Sequence, residues 1–160
     1  MKKNVILVLL LVIFIPLLSG CDPEHYYYNY EELIEKVINV ELINYDNNDA
    51  KSLFGEQDKV IPFSFDKVKI VEALKVEEIN IFLKDLSTIR FMMYRRHSNS
   101  PNGISLRIIY ENGDFDIVSY IVIYFGKFNS DGSVKEFIGG LSGKRDLIAL
   151  INKYFIDQIE

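Results

Sequence analysis

Residues 104–125 read ISLRIIYENGDFDIVSYIVIYF, and two alternating apolar runs in this stretch flank Asn112-Gly113. Such a pair predicts a β-hairpin with a two-residue type I′ turn, because both central residues of that turn need a positive φ. A two-residue loop would place Tyr110 opposite Phe115. This register predicts one core-facing row: Ile104, Leu106, Ile108, Tyr110, Phe115, Ile117, Ser119 and Ile121. The opposite face also carries apolar residues, so we expect a helix to cover about half of it.

Outside the hairpin, the spacing of apolar residues changes between the period of strands and that of helices. Asn29 and Glu32 resemble a capping box and predict the start of a first helix. The predicted helices are 30–36, 76–87 and one that starts at 142 or 143, and the predicted strands are 37–45, 66–74, 88–96, the two hairpin arms and 134–140. The order α-β-β-α-β-β-β-β-α predicts an α+β fold, an antiparallel sheet of about five or six strands with helices packed on one side.

The chain starts with a short apolar run behind two lysines. Lys2 and Lys3 precede the run 5–15, which Pro16 follows. A helix needs ~20 apolar residues to cross a bilayer, and this run is shorter and ends in small residues. The layout is typical of an export signal rather than of a transmembrane helix.

The apolar run leads into Leu18-Ser19-Gly20-Cys21. This resembles the bacterial lipobox, in which an aliphatic residue and two small residues precede a cysteine. The resemblance covers residues 1–21 and implies that the Cys21 sulfur carries a diacylglyceryl group and that signal peptidase II cleaves between Gly20 and Cys21. The alternatives are a signal anchor, or an ordinary signal peptide followed by a chance cysteine.

This reading divides the chain into a removed signal peptide (1–20), a lipidated tether (21–29) and a single α+β domain (30–160). Cys21 is the only cysteine, so its lipidation would leave no thiol for a disulfide. The resemblance implies a protein held by membrane lipid, through the diacylglyceryl anchor, on the extracytoplasmic face of the cell membrane.

Charge limits the partners of the exported part. Sixteen of the 18 Lys and Arg and all 23 Asp and Glu follow Cys21, which makes the formal charge of that part −7. A net-acidic domain is a poor match for a phosphate backbone, so the sequence predicts no nucleic-acid partner. The predicted extracytoplasmic location favours an envelope protein or polymer as the partner.

Sequence motifs predict no catalytic residue, no cofactor and no metal. His25 and His97 are the two histidines and lie far apart in the sequence, and lipidation of Cys21 would leave no free cysteine, which argues against a zinc site. One cluster indicates binding: Arg95, Arg96 and His97 form a positive group beside a polar loop, and Arg107 is expected on the neighbouring strand. Neutralisation of local acidic side chains is the alternative role of this group.

Three functions remain open from the sequence. The first is a non-enzymatic binding or accessory lipoprotein of the cell envelope. The second is an envelope hydrolase, which requires two carboxylates within roughly 5–9 Å of each other in a cleft. The third is a protective, immunity-type lipoprotein that blocks a toxin or a phage at the membrane.

Overall fold

A computed structural model describes residues 25–46, 61–94, 101–119, 124–142 and 144–155. The strands are β1 (His25–Tyr26), β2 (Val37–Tyr45), β3 (Val68–Ala73), β4 (Phe91–Tyr94), β5 (Gly103–Tyr110), β6 (Phe115–Ser119), β7 (Tyr124–Phe128) and β8 (Val134–Ser142). The helices are α1 (Tyr30–Lys36), α2 (Val76–Ser87) and α3 (Lys144–Phe155), and a 3₁₀ turn (Phe65–Lys67) precedes β3. The predicted bounds of α1, β2 and α2 are confirmed.

All neighbouring strands are antiparallel, in the spatial order β1-β4-β8-β7-β6-β5-β2-β3. Side chains of all three helices lie in one core cluster with side chains of β2, β5, β6 and β7. The α+β class and the packing of helices on one side are therefore confirmed. The element order is matched only roughly, because a short strand precedes α1 and five strands, rather than four, lie between α2 and α3.

The extra strand comes from the second arm of the predicted hairpin. The run 114–125 was expected to be one strand, but β6 ends at Ser119 and β7, which pairs with it, begins at Tyr124. No Gly, Pro, Asn or Asp lies between Ile117 and Phe125. The chain reverses there without the residues that normally signal a turn, so the alternating pattern continued through the reversal.

The hairpin itself has a different register from the one predicted. Ile109 lies opposite Phe115, where the two-residue loop required Tyr110. The Gly113 N–H donates to the Tyr110 carbonyl and the Tyr110 N–H donates to the Asp114 carbonyl. Gly113 has a positive φ, of 84°. The loop thus has three residues, a turn closed by glycine in the left-handed region. A shift of one residue exchanges the two faces of β6.

The next hairpin, between β7 and β8, uses the same loop. The Gly132 N–H donates to the Asn129 carbonyl, the Asn129 N–H donates to the Ser133 carbonyl, and Gly132 has a φ of 85°. The two loops touch, since the Ser130 N–H donates to Asp114 Oδ1 over 3.2 Å. Adjacent hairpins are thereby tied together at one end of the sheet.

The face of the sheet opposite the helices carries a second core cluster: Ile43, Tyr45, Phe63, Phe115, Ile117, Tyr124 and Phe128. Phe63 covers it from the segment before β3, and its ring centroid lies 4.9 Å from those of Tyr45 and Phe115. No α-helix of the described residues covers this face, although the ring centroid of Phe65, in the 3₁₀ turn, lies 5.7 Å from that of Phe115. An aromatic side chain from a connecting segment packs there instead.

Part of the predicted tether belongs to the folded domain. His25 and Tyr26 pair with Met92 and Phe91 of β4, and the side chain of Tyr28 is buried in the helix-side core. Asn29 then caps α1, because its Oδ1 accepts a hydrogen bond from the Glu31 N–H. The domain therefore begins before Tyr30.

Candidate functional site

The most unusual buried group is the carboxyl of Asp116. Its side chain is 1% exposed and lies on β6 on the same face as Val118, which packs in the helix-side core. The one-residue register shift puts it there, opposite Ile108 of β5 and Lys127 of β7. A buried carboxylate disfavours folding unless hydrogen bonds or a cation compensate for its lost hydration.

Two tyrosines supply hydrogen bonds to this carboxyl. The Tyr110 hydroxyl donates to Asp116 Oδ2 over 2.8 Å, and the Tyr28 hydroxyl donates to the same oxygen over 3.1 Å. Among the described residues, no group donates to Oδ1, and no Lys or Arg nitrogen lies at ion-pair distance from either oxygen. One oxygen of a buried acid is left with free acceptor capacity.

The surroundings of Asp116 change how it titrates. Burial raises the pKa of Asp116 to about 6, against the lowering effects of the Tyr110 hydrogen bond, the Lys127 charge and the Tyr28 hydrogen bond. Burial, and next the Asp116 charge, raise the pKa values of Tyr28 and Tyr110 far above the ordinary range. Both hydroxyls thus remain protonated donors, while the carboxyl changes charge in mildly acidic solution.

Asp116 lines a pocket of about 400 Å³ where α1 meets the two tied hairpins. The Glu111 N–H donates to the Lys36 carbonyl over 2.8 Å, and both residues line the pocket. The lining residues are Glu32, Lys36, Tyr110, Glu111, Asn112, Asp114, Asp116, Lys127, Phe128 and Lys135. The volume falls within the range of small-molecule sites, which is ~300–1,000 Å³.

Each lysine that lines the pocket already has an acidic partner. The pairs are Lys36 with Glu32 (2.9 Å), Lys127 with Glu136 (3.3 Å) and Lys135 with Asp114 (2.7 Å). Lys127 also lies over the ring of Tyr26, with its Nζ 5.7 Å from the centroid. Among the described residues, the lining therefore contains an acid without a cationic partner, Asp116, but no lysine without an acidic partner.

Asp114 and Asp116 share the pocket with opposite titration behaviour. Asp114 is two residues before Asp116, and its hydrogen bond to Lys135 keeps its pKa below the ordinary value. Alternate residues of an extended strand are roughly 7 Å apart and point to the same face. Two carboxyl groups with separated pKa values in one pocket are a feature of acid–base sites.

The residues that the sequence singled out lie elsewhere. Arg107 is partly buried on the opposite face of the sheet, where its Nε donates to Glu41 Oε2 over 2.7 Å. Its strand, β5, is separated from β4 by β6, β7 and β8. The prediction that these two strands are neighbours is therefore wrong. Arg95, Arg96 and His97 lie outside the described residues, and binding by this group stays a prediction. Cys21 and Gly20 also lie outside them.

Sequence reasoning missed Asp116 because the predicted register put it opposite Ile109, away from the core. Tyr26, Tyr27 and Tyr28 were the available signal, since an aromatic cluster beside a short helix is unusual in a tether. Tyr28 reaches Asp116 across 88 positions of sequence, whereas Tyr27 is half-exposed. Such a long-range contact leaves no local pattern.

Comparisons of the chain with protein-family models, with curated proteins and with solved structures found no match. In the described ranges, no helix is both long and apolar enough to cross a membrane. No three His, Cys, Asp or Glu side chains come together as a metal site in those ranges either.

Proposed function

We propose that the chain is a lipid-anchored, non-enzymatic binding module on the extracytoplasmic face of the cell membrane. The lipobox-like Leu18–Cys21 and the apolar run before it support the anchor. One acyl chain gives only marginal membrane binding, whereas two chains on the Cys21 sulfur give stable attachment. The anchor needs no membrane-spanning helix.

The observation that carries the binding role is the pocket that the buried Asp116 lines. A buried carboxyl that lines a pocket, and one of whose oxygens accepts no hydrogen bond from the described residues, is an arrangement that a ligand can complete. Tyr28 is seven residues after Cys21, and seven residues of fully extended chain span at most roughly 25 Å. A ligand in this pocket would therefore lie close to the membrane surface, which favours a component of the envelope.

The anchor is tested by Cys21→Ala. We expect the variant to leave the membrane fraction or to accumulate with its signal peptide uncleaved, and we expect metabolic labelling with a fatty acid to be lost. Fractionation, labelling and gel mobility measure these changes. If the variant keeps the size, label and membrane association of the wild type, Cys21 is not the point of attachment.

The binding role is tested with full-length protein, immobilised in mild detergent and exposed to solubilised envelope. We expect Asp116→Asn to lose the captured component. Asp85→Asn is the matched control, because Asp85 also accepts a tyrosine hydrogen bond, from Tyr154 over 2.7 Å, outside the lining of this pocket. Capture that is absent, or that Asp116→Asn leaves unchanged, would count against this pocket as the binding site.

The double variant Arg95→Ala/Arg96→Ala belongs in the same experiment. It tests whether the positive group predicted from the sequence contributes to capture. A loss of capture in this variant, together with normal capture by Asp116→Asn, would move the binding site from the pocket to the segment after β4.

An envelope hydrolase is the second candidate, favoured by the presence of Asp114 and Asp116 in one pocket. In that function, Asp116 would serve as the acid, since burial raises its pKa to about 6, and Asp114 as the ionised partner. Release of reducing sugar from isolated envelope polymer is the assay. Activity that disappears in both Asp116→Asn and Asp114→Asn would replace the binding proposal with this one.

A further inference from the structure

We propose that the pocket binds a primary ammonium group, which donates hydrogen bonds to Oδ1 of Asp116. This inference rests on the proposed binding function and names the ligand class of the same site. Its basis is that each lysine of the lining is in an ion pair, whereas Asp116 has no cationic partner among the described residues.

The acceptor is already oriented. The Tyr28 and Tyr110 hydroxyls both bond to Oδ2 of Asp116, which fixes the plane of the carboxyl and leaves Oδ1 for a further donor. A carboxylate can accept about four hydrogen bonds, and the described residues supply two. An ammonium group carries three donors and no acceptor, so it matches an oxygen with free lone pairs.

The charge balance favours a cation over an anion. The lining contains four acidic side chains and three lysines, and each of those lysines is already in an ion pair. An anion would have to displace an acidic partner from a lysine and then lie beside Asp116. A cation meets an ionised carboxyl that has neutral donors only, and the pairing offsets part of the desolvation that Asp116 undergoes on folding.

A cation of organic type fits better than a metal ion. The described residues contain no group of three acidic, His or Cys side chains that could surround a metal. The pocket wall includes Tyr110, whose ring offers aromatic surface to the carbon chain or to the charge of an organic ammonium. The ligand therefore combines one ammonium head with a short apolar stem.

Two envelope sources carry this chemistry. One is the side chain of lysine in a peptide, and the other is an ethanolamine-type lipid headgroup. Both present a primary ammonium on a short carbon stem, and they differ in the phosphate that accompanies the headgroup.

Binding is tested by isothermal titration calorimetry on the full-length protein in mild detergent. The probes are Nα-acetyl-lysine methylamide, its neutral analogue Nα-acetyl-norleucine methylamide, and phosphoethanolamine. We expect at least one ammonium probe to bind to the wild type, and we expect Asp116→Asn to lose that binding. If the lysine probe binds, the norleucine analogue should bind at least tenfold more weakly. Asp85→Asn should bind as the wild type does.

The probes separate the sources. Binding of the lysine probe indicates a peptide, and Asp116-dependent binding of phosphoethanolamine alone indicates a headgroup. The proposal is overturned if neither ammonium probe binds, if the neutral analogue binds as tightly as the lysine probe, or if folded Asp116→Asn retains wild-type affinity. Where Asp116→Asn does not fold, the charged and neutral probes on the wild type decide.

Failure here is distinct from failure of the proposed function. If no ammonium probe binds but envelope capture still depends on Asp116, the pocket binds a different class of ligand and the binding module stands. If capture is independent of Asp116, the binding role of the pocket fails.

Discussion

Asp116 and Glu41 are both buried acids on strands of the sheet, on opposite faces, and they differ in their partners. Glu41 is in an ion pair with Arg107, in which the two side chains are 8% and 12% exposed, and it also accepts from Asn39 Nδ2 over 3.1 Å. Asp116 has two neutral hydroxyl donors and an open pocket beside it.

The contrast shows how a structural acid differs from a candidate binding acid. The charge of Glu41 is balanced within the fold, and no pocket reaches it among those described. The Asp116 carboxylate has only hydrogen bonds from neutral hydroxyls, which compensate for its lost hydration less than a cation would. A ligand can add what the fold omits at Asp116, whereas nothing is missing at Glu41.

Removal of one member of the Glu41 pair should have the largest effect. Glu41→Ala leaves the Arg107 guanidinium buried without a counterion, so we expect a loss of about 3–5 kcal/mol in the free energy of unfolding. Chemical denaturation followed by circular dichroism measures it. The double variant Glu41→Leu/Arg107→Leu should recover most of the loss, and Glu32→Ala, at an exposed pair, should change little. An equal effect of Glu41→Ala and Glu32→Ala would contradict the structural role of the pair.

Asp116 should make stability depend on pH. Its folded pKa, about 6, lies above its ordinary value of 3.8, so the folded state holds the proton more tightly than the unfolded state. The contribution of protonated Asp116 to the free energy of unfolding is fully present below pH ~4 and is lost as the pH rises to about 6. The free energy of unfolding should therefore decrease by about 3 kcal/mol over this range. Denaturation from pH 4 to 7 should show this slope in the wild type relative to Asp116→Asn. Parallel pH profiles for the two proteins would contradict it.

The packing of the core cluster on the face opposite the helices should depend on Gly132. Alanine there is strained at a φ of 85°, and its Cβ would clash with the Phe63 carbonyl oxygen, so the backbone at Phe63 has to shift. We expect Gly132→Ala to lose roughly 2 kcal/mol in the free energy of unfolding. Gly113→Ala is the matched variant, since its loop has the same form but its nearest neighbour is the Ser130 side chain, at 3.0 Å. It should lose about 1 kcal/mol, and a larger loss there would show that the Phe63 contact adds nothing.

The smallest effect concerns the tyrosines that hold Asp116. Tyr110→Phe removes the hydrogen bond that most lowers the pKa of Asp116, so that pKa should rise by about 1. Tyr28→Phe removes a longer bond, 3.1 Å against 2.8 Å, and should raise it less. Titration of the Asp116 carboxyl carbon by nuclear magnetic resonance measures both. A fall in the pKa in either variant would contradict the hydrogen-bond assignment.

Helices and strands were predictable where apolar period and end signals agree. Asn29 before α1 and the change of period at Val76 mark the bounds of helices that the structure confirms. The turn between β6 and β7 was missed because it has no turn residue, and the hairpin loop was wrong by one residue because Asn-Gly suits two loop lengths. In the second length, only the glycine has to adopt a positive φ.

The candidate site was not predictable, and its residues show why. The face of Asp116 depends on the loop length at Gly113, so an error of one residue moved the acid from the core to the other side. Tyr28, Lys127 and Lys135 come from three different segments that only the strand order brings together. Arg107 seemed exposed because charged residues usually are, but Glu41 on β2 compensates for its burial.

The sequence by itself determined the fold class, most of the elements and the lipobox-like pattern at Cys21, because each depends on residues that are near one another along the chain. Only the tertiary structure decided which strands are neighbours, which face each side chain occupies and which acids have a cation beside them. These depend on contacts between distant segments, whose free energies are set by burial and charge rather than by local spacing. Asp116 and Glu41 are both acidic residues in alternating strands, and only the fold separates them into a pocket acid and a structural one.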